Sequence, residues 1–160
     1  MADPAQPLSL LERRGIEAAV LVPVIRAMQA EFGEQRVNEL VGRTIRGIAA
    51  AQGEAQRGAA LPTIPEIAER FEHGVLAEGS LLVDVVQRDD DGFGFNVTRC
   101  RFMEMYEEMG ARDLGYLVSC NRDFALFEGL APNLEFTRTQ TRMEGASHCD
   151  FRYRAKRDDA

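Results

Sequence analysis

The sequence predicts an α+β fold: N-terminal helices, then an antiparallel sheet of about four strands with helices packed on one face. Three observations carry this. Before residue 78 the apolar residues fall at helical spacing behind two capping signatures. After Leu81 the pattern changes to short strands with turn chemistry between them. The order of that second half is hairpin, helices, hairpin, which favours antiparallel pairing over a parallel βαβ sheet. The expected organisation is a disordered tail over 1–8 and one domain over 9–160. Its helical part spans 9–78, and its sheet-and-helix part spans 79–155.

Each element has its own signal. Ser9 with Glu12 three residues on is a capping box opening a first helix. Leu11, Ile16, Val20 and Val24 form its apolar stripe, and Pro23 is expected to bend or interrupt it. Gly33 punctuates. Val37, Leu40, Val41, Ile45 and Ile48 predict a second helix over 35–50, and the Ala/Gln/Gly-rich residues 49–60 extend it or form a linker. Thr63-Ile64-Pro65-Glu66 starts a third helix running to about Glu72. Residues 81–88 and 93–98 read as a hairpin turned by Asp89 to Gly92. A helix over 99–110 closes at Gly110, and another spans about 121–129. Residues 133–142 and 148–154 alternate as strands about a turn at Glu144-Gly145.

Composition excludes several classes of function. The net charge is −7 and no basic cluster with interleaved aromatics is present. The chain therefore has no field that attracts nucleic acid or an anionic membrane surface. The apolar stretch 18–25 is too short for a span, and the start has no basic region ahead of an apolar run. The expected setting is cytoplasmic, and the expected partner is a small-molecule substrate, with a homo-oligomer left open. Three cysteines, Cys100, Cys120 and Cys149, are an odd and widely spaced set, so free thiols are expected. The same spacing lacks a C-x-x-C pair, so the sequence predicts neither a metal site nor a cofactor. The Asp89–Asp91 run lacks the rest of a calcium loop, and the Gly92–Phe95 stretch precedes no helix, so neither is a ligand motif.

The cysteines sit at informative places. Cys100 falls where a strand hands over to a helix, and Cys120 just before the next helix. Helix N-termini favour thiolate. Cys149 shares a strand face with Phe151 and Tyr153, which points it toward those helices, while His148, Asp150 and Arg152 share the other face. The plainer reading of each thiol is a small buried apolar side chain. Asp123, one turn after Cys120, is either a first-turn acid favourable to the helix dipole or an anchor for a cationic substrate group. Arg138 lies on the strand face of Leu134 and Phe136. An inward guanidinium requires an anion such as a substrate carboxylate, and the plainer alternative is an arginine snorkelling at the sheet edge. His148 and Asp150 look like a dyad but face solvent or a subunit partner, and His73 near a helix end reads as a surface residue.

Residues 94–153 contain G-F-N-V-T-R-C (94–100), F-x-E-M-Y-E-E-M-G (102–110), C-N-R-D-F-A-L (120–126), L-E-F-T-R-T (134–139) and E-G-A-S-H-C-D-F-R-Y (144–153). In these motifs the chain resembles the L-2-amino-thiazoline-4-carboxylate hydrolase family. R-R-G-I-E-A (13–18) is compatible with the same family. The resemblance implies a cofactor-independent hydrolase that acts on a C–N bond of a small cyclic isothiourea or amidine-like heterocycle, adding water across its C=N carbon to give a carbamoyl product. It implies Cys120, Cys100 and Asp123 as catalytic positions, with Cys149 and Arg138 as substrate-binding positions. Either a thiolate attacks the carbon or a carboxylate activates water. The alternative is a non-catalytic ligand-binding or accessory protein using the same pocket.

Overall fold

The computed structural model describes residues 7–156. Most of the tail expected over 1–8 lies outside the described residues. Helix α1 spans Leu10–Phe32 behind the Ser9/Glu12 capping box. It runs unbroken through Pro23. Proline removes one backbone donor, and the carbonyl it would have served belongs to exposed Ala19, which water can reach. The stripe read from the sequence points the wrong way: Ile16, Val20 and Val24 are exposed, and α1 buries Ala18 and Ile25 instead.

Gly33, at φ +87°, lets α1 turn into α2, Glu34–Gln56. The small residues at 49–56 continue this helix rather than forming a linker. Their purpose is close packing against a later helix. A Cβ on Gly53 would stand 2.1 Å from the Leu126 carbonyl oxygen, and one on Gly129 would stand 2.4 Å from the Ala50 oxygen. Only hydrogen at both positions permits that crossing. Helix α3, Ile64–His73, starts from a second capping box, Thr63 with Glu66.

Strands β1 (Leu81–Arg88) and β2 (Gly92–Cys100) form the expected hairpin. Asp89 Oδ1 accepts the backbone N–H groups of Asp91 and Gly92 and so shapes its turn. Helix α4 is Arg101–Glu108. Helix α5, Arg112–Gly115, passes into a π-helical turn, Tyr116–Cys120, and then into α6, Arg122–Leu130. Strand β3 is shorter than expected, Leu134–Thr137, and β4 is Cys149–Ala155. The sheet order is β1-β2-β4-β3, antiparallel throughout. No described helix is long and apolar enough to cross a membrane.

Two apolar clusters hold these elements. One joins α3 and α6 to one face of the sheet through Ile67, Phe93, Phe95, Phe127 and Tyr153. Its rings are close-packed: Tyr153 lies 4.7 Å from Phe136 and 5.2 Å from Phe71 between centroids. The other joins α1, α2 and α4 to the α5–π segment through Ile25, Val37, Tyr106 and Leu114. Cys100 packs against both.

Candidate active site

Where the clusters meet, a cavity of about 690 Å³ opens, a size ordinary for a small-ligand site. Cys100, Cys120, Asp123, Arg138 and Cys149 all line it. A larger concavity of about 820 Å³ lies over α2 and the π turn, but it is a more open groove that contains none of these five residues.

Cys100 ends β2 and caps α4, its Sγ accepting the Met103 N–H at 3.4 Å. Burial nevertheless pushes its thiol up to about 11, against that hydrogen bond. Cys149 is buried and its Sγ accepts the Arg142 N–H at 3.2 Å; burial raises its thiol too. Cys120 departs from the sequence expectation. It does not stand at an open helix N-terminus, because the chain is helical on both sides of it. The Asn121 N–H reaches back to the Tyr116 carbonyl at 2.8 Å, the five-residue step of a π turn. The dipole that was to stabilise a thiolate is absent there. Burial, then the negative charge of Asp123, hold the Cys120 thiol well above its ordinary value, and Arg138 opposes them. All three groups are neutral thiols at neutral pH.

Arg138 lies just beyond β3 and points inward, its side chain 2% exposed. The anion it requires is supplied by the protein: Nη1 donates to Asp123 Oδ2, and Nη2 donates to the Cys120 carbonyl at 3.1 Å. Its guanidinium carbon lies 5.1 Å from the Phe124 ring centroid and 5.2 Å from that of Phe151. Desolvation works to lower its pKa, but the charge of Asp123 and its hydrogen bond outweigh this, so it stays a cation. Asp123 retains 36% side-chain exposure, yet desolvation raises its pKa despite Arg138. The two facts agree if its accessible oxygen faces the cavity rather than open solvent. A carboxylate held by arginine on one side, with its basicity raised by burial, is suited to taking a proton.

The other pair read from the sequence does not form. Asp150 accepts the N–H groups of Thr139 and Gln140 and the Thr139 hydroxyl, while His148 Nδ1 contacts the Ser147 hydroxyl at 2.9 Å. His73 is exposed, as expected. Among the described residues no group of three His, Cys, Asp or Glu is placed to hold a metal.

Sequence reasoning missed Arg122, Arg14 and Gln52, which line the same cavity. Arg122 is 7% exposed and its Nη2 donates to Gln52 Oε1. Its neighbourhood in the sequence, N-R-D at a helix start, reads as a solvated first turn. Only the close crossing of α2 over α6 buries it.

The family model for L-2-amino-thiazoline-4-carboxylic acid hydrolase matches residues 13–153. The chain belongs to this family. The match takes in α1 and α2 as well as the cysteine motifs, so Arg14 and Gln52 fall inside the family domain along with Asp123. No curated protein matches the chain in sequence. Among solved structures, the phenol-responsive sensory domain of the transcription activator PoxR is 11% identical at a TM-score of 0.45, covering 97% of this chain and 79% of that one. Subunit 3 of a trafficking protein particle complex from Naegleria fowleri, covalently bound to palmitic acid, is 11% identical at a TM-score of 0.46, covering 89% and 95%. At such scores neither bears on the function of this member of the hydrolase family.

Proposed function

We propose that this chain is a hydrolase that opens a small cyclic isothiourea, with Asp123 as the group that activates water. The observation that carries the reading is Asp123 itself: a carboxylate on the wall of the shared cavity, fixed by the buried Arg138 and raised in basicity by desolvation. Family membership supports the choice of substrate class.

The product defines the bond that opens. A carbamoyl group keeps both nitrogens on the former C=N carbon, so the ring C–S bond must break, and not the C–N bond that the resemblance implies. In this scheme the amidine enters protonated. The water oxygen bonds to carbon, the C=N electron pair moves to nitrogen, and a water proton passes to Asp123. The C–S bond then breaks with its electron pair on sulfur, and sulfur takes the proton held by Asp123. The hydroxyl proton leaves as the carbonyl forms, which releases the proton the amidinium brought in. Arg138 acts by holding Asp123 and is a positioning residue.

Neutral thiols favour carboxylate-activated water over attack by a resting thiolate. Cys100, Cys120 and Cys149 then form a polarisable wall around the sulfur of the ring. The covalent alternative has Asp123 accept the Cys120 proton before sulfur attacks. Incubation with L-2-amino-thiazoline-4-carboxylate, followed by mass spectrometry for N-carbamoyl-cysteine, tests the activity. Cys120→Ser separates the routes: activated water predicts turnover within about tenfold of the parent, and the covalent route predicts its near-complete loss. Binding without product in the parent protein is the result expected of a non-catalytic ligand binder.

A further inference from the structure

Arg122 carries a charge that no carboxylate among the described residues meets in an ion pair. It is 7% exposed, and its one hydrogen bond among the described residues is to the neutral amide of Gln52. No carboxylate among the described residues lies within ion-pair distance of it. Its Nε and Nη1 have no acceptor among those residues, yet they are not sealed into the protein. The guanidinium lines the cavity. Arg14, which lines the same wall, pairs with Glu17 at 2.5 Å. Desolvation and then the like charge of Arg14 act against the Arg122 cation, and the charges of Glu17 and Asp123, neither in contact with it, oppose them without reversing the balance. Five arginines and three carboxylates line the cavity, in a chain whose net charge is −7. A guanidinium nine-tenths buried without an anion is costly, and its planar fork of donors matches a carboxylate.

We propose that Arg122, assisted by Arg14, is the subsite that binds the carboxylate of a small ring substrate. The proposal rests on the hydrolase reading for the identity of the ring, and it replaces Arg138 as the carboxylate's partner. Arg138 is already engaged by Asp123 and by the Cys120 carbonyl. The substrate's own dimensions support the change. In 2-amino-thiazoline-4-carboxylate one ring nitrogen separates the carboxylate-bearing carbon from the electrophilic carbon. In the protein, Arg122 and Asp123 are consecutive on α6 and line one cavity. An arginine holding the carboxylate leaves the ring in the cavity that Asp123 also lines, and the proposal places the electrophilic carbon on the side of that aspartate.

Isothermal titration of the full chain tests the subsite with three probes: L-2-amino-thiazoline-4-carboxylate, L-thiazolidine-4-carboxylate, and 2-amino-2-thiazoline, which lacks the carboxylate. The parent protein is expected to favour the first over the third by about 10- to 100-fold, the worth of a charged hydrogen-bonded pair. Arg122→Met is expected to abolish that preference. Arg122→Lys, which keeps charge but loses the fork, and Arg14→Gln are expected to reduce it severalfold. They decide the matter if Arg122→Met does not fold. A parent protein without the preference, no binding of either carboxylated ring, or a preference unchanged in these variants overturns the subsite. Preference lost in the Arg122 variants, with no product from the parent, supports the subsite and refutes the hydrolase reading. Turnover of both aminothiazolines with equal efficiency does the reverse.

Discussion

Arg138 and Arg122 enter one cavity from two elements, and the protein treats them differently. Arg138 has a carboxylate, a backbone carbonyl and two close aromatic rings; Arg122 has one neutral amide and a like-charged neighbour. A buried guanidinium that is fully satisfied contributes structure and fixes the group it binds. One left short of an anion is poised to take one from outside. The contrast separates a centre for chemistry, at Asp123, from a centre for recognition, at Arg122.

The strongest way to break this contrast is to exchange the roles by mutation. Asp123→Asn keeps shape and a hydrogen-bonding oxygen for Arg138 but removes the base. Turnover is expected to fall by roughly 100-fold or more, the lower range for a general base, while binding of a carboxylated ring is retained. Steady-state product formation beside titration of L-thiazolidine-4-carboxylate checks both halves. Loss of binding with turnover per bound complex unchanged would reverse the assignment.

Removing Arg138 sharpens the structural side. Arg138→Met leaves Asp123 without its partner and is expected to cost about 3 kcal/mol, the low end for a broken buried pair, because Asp123 still faces the cavity. Urea denaturation reads this. A change under about 0.5 kcal/mol, the size usual for surface sites, would show that the pair is not structural. Gly129→Ala tests the support beneath both centres. A Cβ there meets the Ala50 carbonyl oxygen, so α6 must move from α2, with an expected loss of about 1–3 kcal/mol. An alanine variant of parental stability would mean the crossing is looser than the structure indicates.

The smallest effect is the alkaline behaviour of the thiols. Burial raises Cys100 from 9.0 to about 11, so folding favours its protonated form. That contribution is fully present below pH 9, declines as pH rises from 9 toward 11, and has gone above it. Iodoacetamide labelling of Cys100 is expected to be slow at pH 7 and to climb about tenfold per pH unit over the alkaline range. Fast labelling at pH 7 would restore the thiolate nucleophile.

Much of the fold was legible because its signals are local. Two capping boxes, the Asp89 turn and the alternation along β4 depend on residues a few positions apart, and they appear where expected. Arg138 read either as an inward charge or as an arginine snorkelling at the sheet edge; it points inward, and its anion is internal. What was not legible depends on contacts distant in sequence. Ile16, Val20 and Val24 carry helical spacing, but that spacing does not say which side of α1 meets the rest of the protein. Cys120 looked like a helix start because Asn121 and Asp123 suit one. The π turn that carries the helix through it is tied by Asn121 Nδ2, which donates to the Gly42 carbonyl at 3.1 Å, on a different helix. Gly53 lay in a stretch that read equally as more helix or as a linker, yet its missing side chain is what admits the close approach of α6.

The most direct test of the two-centre account is a crystal structure of the protein with L-thiazolidine-4-carboxylate, which lacks the amidine and cannot be opened by this chemistry. The carboxylate is expected on the Arg122 guanidinium, with the ring carbon between the two heteroatoms facing Asp123 and the Arg138–Asp123 pair intact. A carboxylate seated on Arg138 with that pair broken, or a ring bound outside the cavity, would contradict it.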